Sequence, residues 1–369
     1  MTEFCRHLTN GLVYNNNTTS FTVSPCCFFR GDRFEINLDQ DLSSQLNAHR
    51  AHWMTADVTR DCKTCIDAEE QNTPSYRLAS FDAIQGLDNR LEFLTVAVNK
   101  QCNLACASCD AASSSFWYQE NARHSLVQKL AIRQMHQEDR NGVIADKFVQ
   151  LLAEQDLTAL TYIKFGGGEP LMSDTHTRIM ELISDPSKVT VQYTSNFSIM
   201  PSKAVLRLWE KFKLVKWVAS IDGVGEQFSF LRWPYQWEKL EPFVVDAIKK
   251  VPGNVIFGVE HTINPLNVFY FDQFCSWFEQ QLGSNRYGDQ SDFNLHLCNG
   301  IMGIEHTPPA LREKIKRRYG AHHAVSIALD QKPYSGSVAE LVQYLDQLDQ
   351  WRGTMWRDIF PEVQGFFSA

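Results

Sequence analysis

The sequence predicts an α/β fold in which βα units build a parallel sheet, preceded by a small cysteine-rich segment and followed by a helical extension. Three observations predict it. From about residue 90, short β-rich runs alternate with longer amphipathic stretches, the pattern of βα units around a parallel sheet. Eight of the ten cysteines lie at 5, 26, 27, 62, 65, 102, 106 and 109, leaving only Cys275 and Cys298 beyond. Residues 301–369 carry long helical patterns and end in an aromatic tail from Phe360 to Phe367.

In chain order, residues 1–88 form the first unit. It is rich in Asn, Thr, Ser and Asp, as in Tyr14-Asn-Asn-Asn-Thr-Thr-Ser20 and Gln71-Asn-Thr-Pro74, and its short alternating run Phe21 to Ser24 predicts a hairpin. Such a segment buries little unless a metal holds it. Residues 89–300 form the second unit, with strands predicted over Leu91–Val98, Leu160–Phe165, Val189–Thr194, Val215–Ile221, Val255–Ile263 and Phe293–Leu297. Helical patterns separate them at Ser125–Glu138, Ala145–Glu154, His176–Ile183, Ser202–Phe212, Trp237–Val251 and Phe271–Leu282. The third unit, 301–369, is predicted helical over Pro308–Tyr319 and Ser337–Trp351, either as a lid or as a closure of the sheet's other end. No internal repeat interrupts this order.

Composition narrows the function. With 44% hydrophobic and 21% charged residues the chain is globular, and 35 Lys and Arg against 43 Asp and Glu give a net charge of −8. That balance argues against a nucleic-acid partner. No apolar run is long enough to span a membrane, and the first residues lack the basic and apolar regions of a secretory signal, so a cytoplasmic protein is expected. In a reducing compartment, closely spaced cysteines point to metal or redox centres rather than disulfides.

The densest group is Cys102-Asn-Leu-Ala-Cys106-Ala-Ser-Cys109, just after the first strand of the βα region. Three thiolates on one loop hold three corners of a [4Fe-4S] cluster and leave the fourth iron open to a substrate or cofactor; the alternative is a structural zinc completed from elsewhere. Gly166-Gly167-Gly168-Glu169-Pro170 ends the second strand, where glycines let the backbone approach a ligand and Glu169 offers a carboxylate to an ammonium group. Tyr193-Thr-Ser-Asn196 follows the third strand, and Ser220-Ile-Asp222-Gly223 the fourth, with Arg232 beyond.

Together these motifs resemble the radical S-adenosylmethionine (SAM) superfamily over roughly residues 90–300. The resemblance implies a partial (β/α)6 TIM-like barrel with its site at the C-terminal ends of the strands. It implies Cys102, Cys106 and Cys109 as ligands of a SAM-binding [4Fe-4S] cluster, Gly167, Gly168 and Glu169 around the methionine amino group, and Asn196 near the ribose. Ser220 and Arg232 are then expected on the methionine carboxylate. Ser108 departs from the pattern, since an aromatic residue often precedes the third cysteine. The implied cofactors are this cluster and SAM, served by an external one-electron reductant such as flavodoxin or ferredoxin.

Cys5, the pair Cys26-Cys27, and Cys62-Lys-Thr-Cys65 form a second set. It resembles the SPASM/twitch type of auxiliary iron-sulfur domain, here placed before the barrel rather than after it. That implies an auxiliary [4Fe-4S] cluster on Cys5, Cys26, Cys62 and Cys65, with Cys27 spare or exchanging with Cys26; a zinc knuckle on the same thiolates is the alternative. Cys275 sits in a helical pattern and is expected to pack in the core. Cys298 ends the sixth strand at the level where substrates react, either as a donor of a hydrogen atom to a substrate radical or as plain packing. Glu260 and His261 close the fifth strand as candidate cavity residues. Phe116, Trp117 and Tyr118 either cover the cluster loop or begin a helix.

The expected function is a radical SAM enzyme, an oxidoreductase, epimerase or isomerase, that abstracts hydrogen from a small-molecule, nucleoside or sugar substrate while the auxiliary cluster transfers electrons. The small-molecule expectation rests on the absence of an evident peptide-recognition segment before Cys5. Two alternatives remain: a radical SAM peptide-modifying enzyme performing epimerisation or cross-linking, and a non-catalytic iron-sulfur electron carrier.

Overall fold

The computed structural model describes residues 5–16, 21–37, 40–70, 75–79, 88–97, 99–126, 129–140, 142–282, 293–321 and 323–367. Val98, Gln71 to Pro74 and the end of the run to Ser20 lie outside them. Nine strands form one sheet: β1 (Gly11–Asn16), β2 (Phe21–Ser24), β3 (Phe34–Ile36), β4 (Phe93–Ala97), β5 (Tyr162–Phe165), β6 (Thr190–Ser195), β7 (Leu214–Ser220), β8 (Val255–Ile263) and β9 (Phe293–Leu297). Their order is β3-β2-β1-β4-β5-β6-β7-β8-β9. The last six are the six strands expected from the sequence. They run parallel and in chain order, so each βα unit lays its strand beside the previous one.

Strand alternation gives the sheet two different faces. Along β6, Val191, Tyr193 and Ser195 are buried while Thr190, Gln192 and Thr194 are half-buried. Tyr193 packs against Trp209 of the helix Lys203–Trp209, and Trp217 against Phe257, so one face carries an aromatic core beneath the helices. The other face carries Lys164, Gln192, Thr194, Lys216, Ser220, Glu260, Thr262 and His296, a polar set at odds with simple core packing.

The N-terminal segment departs from expectation. The predicted hairpin forms, with β2 antiparallel to β1, but β1 also pairs parallel with β4, placing Leu12 beside Leu94. β1 is hard to see in the sequence because only Leu12, Val13 and Tyr14 separate Gly11 from an asparagine run. Nor does the segment bury little: Tyr14, Phe29, Leu46 and Trp53 belong to the same hydrophobic core as the later strands. The helical stretch expected over 125–138 begins later, as Leu130–Arg140, and a separate helix, Ser115–Arg123, precedes it.

The C-terminal helices include Pro309–Tyr319, Ala324–Gln331 and Val338–Arg352. Ser337 caps the last of these by accepting from the Glu340 amide, and Gly353, in the left-handed region, ends it. The aromatic tail is core: Phe360 and Phe367 are buried, with Phe360 edge-on to Phe230. Among the described residues no helix is long and apolar enough to cross a membrane.

Candidate functional site

The cysteine loop leaves β4 and is pinned on every side. Its entry is held by Ser115, whose amide donates to the Lys100 carbonyl and whose hydroxyl accepts from the Cys102 amide. Ser114 caps the helix Ser115–Arg123 through the Phe116 and Trp117 amides while donating to the Leu104 carbonyl, so one hydroxyl ties helix and loop together. Trp117 Nε1 donates to the Cys106 carbonyl at 2.8 Å. Trp117 thus covers the loop, as one expectation had it, while Tyr118 packs on His136 and Phe116 under Arg123. From the C-terminal helix, Arg352 donates to the Ala105 carbonyl and Tyr344 to the Ala107 carbonyl, both at 2.8 Å. Arg352 is itself buried against Glu120 at 2.8 Å.

The three thiols are mutual neighbours. Burial, reinforced by Cys106, pushes Cys102 and Cys109 up to about 12; burial also raises Cys106, against the pull of Arg232. Thiols so raised stay protonated and inert until a metal takes the proton's place. One strand end and one helix end, that of Gly225–Leu231, reach their sulfurs. Asn196, just past β6, points Nδ2 at Cys102 Sγ (3.9 Å) and at Asn103 Oδ1 (2.9 Å). Arg232 points Nη1 at Cys106 Sγ (3.8 Å) while its Nε stands 2.6 Å from Asp222 Oδ2. Burial alone would pull the Arg232 guanidinium down, but Asp222 and Cys106 outweigh it and hold it charged.

The glycine turn packs on the stem of this loop. Gly167 has φ +108°, and a Cβ there would fall 2.7 Å from the Asn99 carbonyl oxygen; at Gly168 it would fall 2.2 Å from that of Gln101. The Gly168 amide donates to Asn99 and the Glu169 amide to Gln101. Glu169 is fully buried and accepts from Ser195 Oγ (3.0 Å), the Asn196 amide (2.7 Å) and the Leu171 amide (3.2 Å). Burial pushes its carboxyl up and these donors work against that. Ser220 stands at the end of β7, level with Glu260 of β8.

Neighbouring residues of β8 part ways because alternation puts them on opposite faces. His261 turns to the helices, accepting or donating at the Ile221 carbonyl and packing on Phe274, so it does not line the polar face as the sequence had suggested. Glu260 does. Its Oε1 lies 3.4 Å from Lys164 Nζ, 3.3 Å from Thr194 Oγ1 and 3.7 Å from His296 Nε2. Burial pushes Glu260 up, but His296 and Lys164 together hold it at about 2. Lys164 and His296 were missed in the sequence; the available clue is a titratable residue at a half-buried position of a strand.

Cys298 is buried just past β9, its Sγ 3.4 Å from the Asn299 carbonyl, and burial pushes it up to about 12. Cys275 is half-buried against the core from the helix Phe271–Leu282.

In the N-terminal segment Cys5, Cys26, Cys62 and Cys65 are all buried and line one small cavity, together with His7, Phe28, Tyr76 and Arg77. Cys62 and Cys65 are brought to one side by the turn into the helix Lys63–Glu70, whose Cys65 amide donates to the Cys62 carbonyl. Burial raises these thiols, Cys5 to about 11 and Cys62 to about 12, with each other's charge adding to it. Cys27 is exposed and turns instead to Tyr76. Burial pulls His7 down to about 3, leaving the imidazole neutral. Among the described residues no three His, Cys, Asp or Glu side chains converge on a point fit for a single metal ion. A polynuclear cluster asks for something different, since each thiolate binds its own iron, and a donor set of four buried thiols lining one site fits that group.

No family model matches the chain, and no curated protein matches it. Among solved structures, anSMEcpe with bound AdoMet is similar at 15% identity and a TM-score of 0.39, over 61% of this chain and 59% of that one. The chain thus spans about three fifths of that protein's length. Streptococcus suis SuiB bound to S-adenosylmethionine is similar at 11% identity and a TM-score of 0.40, over 95% of this chain and 74% of that one; SuiB bound to its precursor peptide SuiA gives 12% and 0.40. Likenesses of this size leave the functional reading to the chain's own residues.

Proposed function

We propose that this chain is a radical SAM enzyme with an auxiliary iron-sulfur cluster. The observation that carries the reading is the convergence on the cysteine loop. Three thiols stand together after β4, and residues from two other places in the fold, Asn196 just past β6 and Arg232 at the end of the helix Gly225–Leu231, reach Cys102 Sγ and Cys106 Sγ at 3.9 and 3.8 Å. Three thiols leave one corner of a four-iron cluster without a protein ligand, an opening that a cluster serving only to carry electrons does not need.

A [4Fe-4S] cluster on Cys102, Cys106 and Cys109 would supply, with SAM, a 5'-deoxyadenosyl radical for hydrogen abstraction. The chain's own residues do the rest. Arg232 and Asn196 face the sulfurs with positive charge and an amide donor, which favours thiolates in a buried site. Trp117, Arg352 and Tyr344 fix the loop from behind and exclude water from it. Glu169 ties the end of β6 to the glycine turn, setting Asn196 in place. Ser220, Glu260, Lys164 and His296 offer a polar surface on the open face of the sheet, suited to orient a substrate. Cys298 supplies a candidate hydrogen donor, and Cys5, Cys26, Cys62 and Cys65 a site for the auxiliary cluster, which we assign to electron transfer.

For the substrate, the sequence leaned to a small molecule, nucleoside or sugar. The ligands seen with the similar proteins are peptides, SuiA with SuiB and Cp18Cys with anSMEcpe, which stands with the peptide-modifying alternative. We carry peptide epimerisation or cross-linking as a second reading beside the small-molecule one.

The test is anaerobic reconstitution, an iron count, and an assay for 5'-deoxyadenosine from SAM and dithionite, with Cys106→Ala as the control. About eight irons per chain and deoxyadenosine only from the parent protein support both clusters. A fully loaded protein that makes no deoxyadenosine overturns the reading in favour of an electron carrier.

A further inference from the structure

His7 is the one side chain of the N-terminal cavity whose chemistry the four thiols leave unexplained. It is 1% exposed, and neither ring nitrogen has a hydrogen-bond partner among the described residues. Burying a polar group without a partner is costly, so such a group ordinarily has one, bound if not built in. The ring is held in place: it stacks on Tyr76 (5.1 Å between centroids, 10° between planes) and stands edge-on to Phe93 (4.7 Å, 84°). Gly11 makes the room, since a Cβ there would fall 2.7 Å from His7 Nδ1. An aromatic stack of this kind is served as well by phenylalanine, and without the unmet nitrogens. What histidine adds is a donor beside the cavity that Cys5, Cys26, Cys62 and Cys65 surround.

We propose that the His7 imidazole donates an N–H hydrogen bond to a sulfur of the cluster held by Cys5, Cys26, Cys62 and Cys65, and so holds its reduction potential up. The inference rests on the reading that this cavity holds an iron-sulfur cluster. Four thiolates occupy four irons, which leaves His7 to the sulfurs rather than to a metal. Hydrogen bonds to cluster sulfurs stabilise the reduced, more negative state, and burial away from water makes each one count for more. Arg77 lines the same cavity, but its guanidinium is tied to Glu69 and adds charge rather than a free donor.

The experiment uses the full chain with Cys102, Cys106 and Cys109 replaced by Ala, so that only the auxiliary site can load, reconstituted anaerobically with histidine labelled in ¹⁵N. Iron content, a redox titration and pulsed EPR of the reduced cluster are compared with the same protein carrying His7→Phe or His7→Gln. The expected result is about four irons in all three. His7→Phe should lose the histidine nitrogen coupling and shift the midpoint to a more negative potential, and His7→Gln, which keeps an N–H donor, should move it back. An unchanged midpoint and coupling in a loaded His7→Phe protein overturn the proposal. So does iron lost from both variants while their circular dichroism is unchanged, which makes His7 a ligand. A parent protein that binds zinc or no metal overturns the auxiliary cluster itself, and is told apart because it fails before His7 is touched.

Discussion

Replacing Gly168 with Ala separates a glycine needed for packing from one that is merely present. The added Cβ would lie 2.2 Å from the Gln101 carbonyl oxygen and 2.7 Å from the Lys100 carbonyl carbon, where ordinary contact begins at 3.4 Å. Both neighbours are backbone, so no side chain can rotate away, and a shift of roughly 1 Å must move the stem of the cysteine loop. That shift strains the core by about 1–3 kcal/mol. It also breaks the bonds from the Gly168 amide to Asn99 and the Glu169 amide to Gln101, at about 1 kcal/mol each. The sum is about 3–5 kcal/mol. With an unfolding entropy of about 2.1 cal/mol/K per residue over 369 residues, this lowers Tm by about 4–6 °C. Gly166→Ala is the control, because nothing lies within 4 Å of its added Cβ. Thermal unfolding of the reconstituted proteins, with iron content alongside, reads the difference: Gly168→Ala should lose both stability and iron, Gly166→Ala neither. Equal Tm and iron in the two variants would refute the argument that this turn exists to carry the cysteine loop.

Arg352→Met leaves Glu120 buried without its partner and should cost about 3–5 kcal/mol in urea unfolding; adding Glu120→Gln should recover a good part, and no recovery would mean that the bond to Ala105 matters more than the charge pair. Glu260 is held at about 2, against about 4.3 for an unfolded glutamate, so its contribution is complete above that value and lost as pH falls from about 4.5 to 2. At 1.36 kcal/mol per unit, about 3 kcal/mol of acid sensitivity should vanish in Glu260→Gln; identical pH–stability curves would contradict this. Cys298→Ala should leave deoxyadenosine formation intact while reducing solvent deuterium in the product; unchanged product labelling would return Cys298 to packing.

Much of the architecture was legible. The six strands β4 to β9 stand where alternating apolar runs put them, because a strand buried beneath helices needs a continuous or alternating apolar face whatever its neighbours are. The cysteine spacing likewise foretold which thiols come together: Cys102, Cys106 and Cys109 share one short loop, and chain connectivity alone keeps them close. For Cys5, Cys26, Cys62 and Cys65 connectivity does not suffice. The resemblance grouped them, and the fold brings them around one cavity by pairing β1 with both β2 and β4.

The features legible in the chain alone are local: the strands of the βα region and the cysteine loop, each set by residues a few positions apart. It took the packed fold to show that Glu260 meets Lys164 and His296, that His261 turns away, that Arg232 lies between Asp222 and Cys106, and that the His7 ring nitrogens have no hydrogen-bond partner among the described residues. The physical reason is range. Periodicity and capping act within one element, whereas the charge, hydrogen bonding and burial of a side chain depend on strands and helices distant in the chain, which only packing brings near.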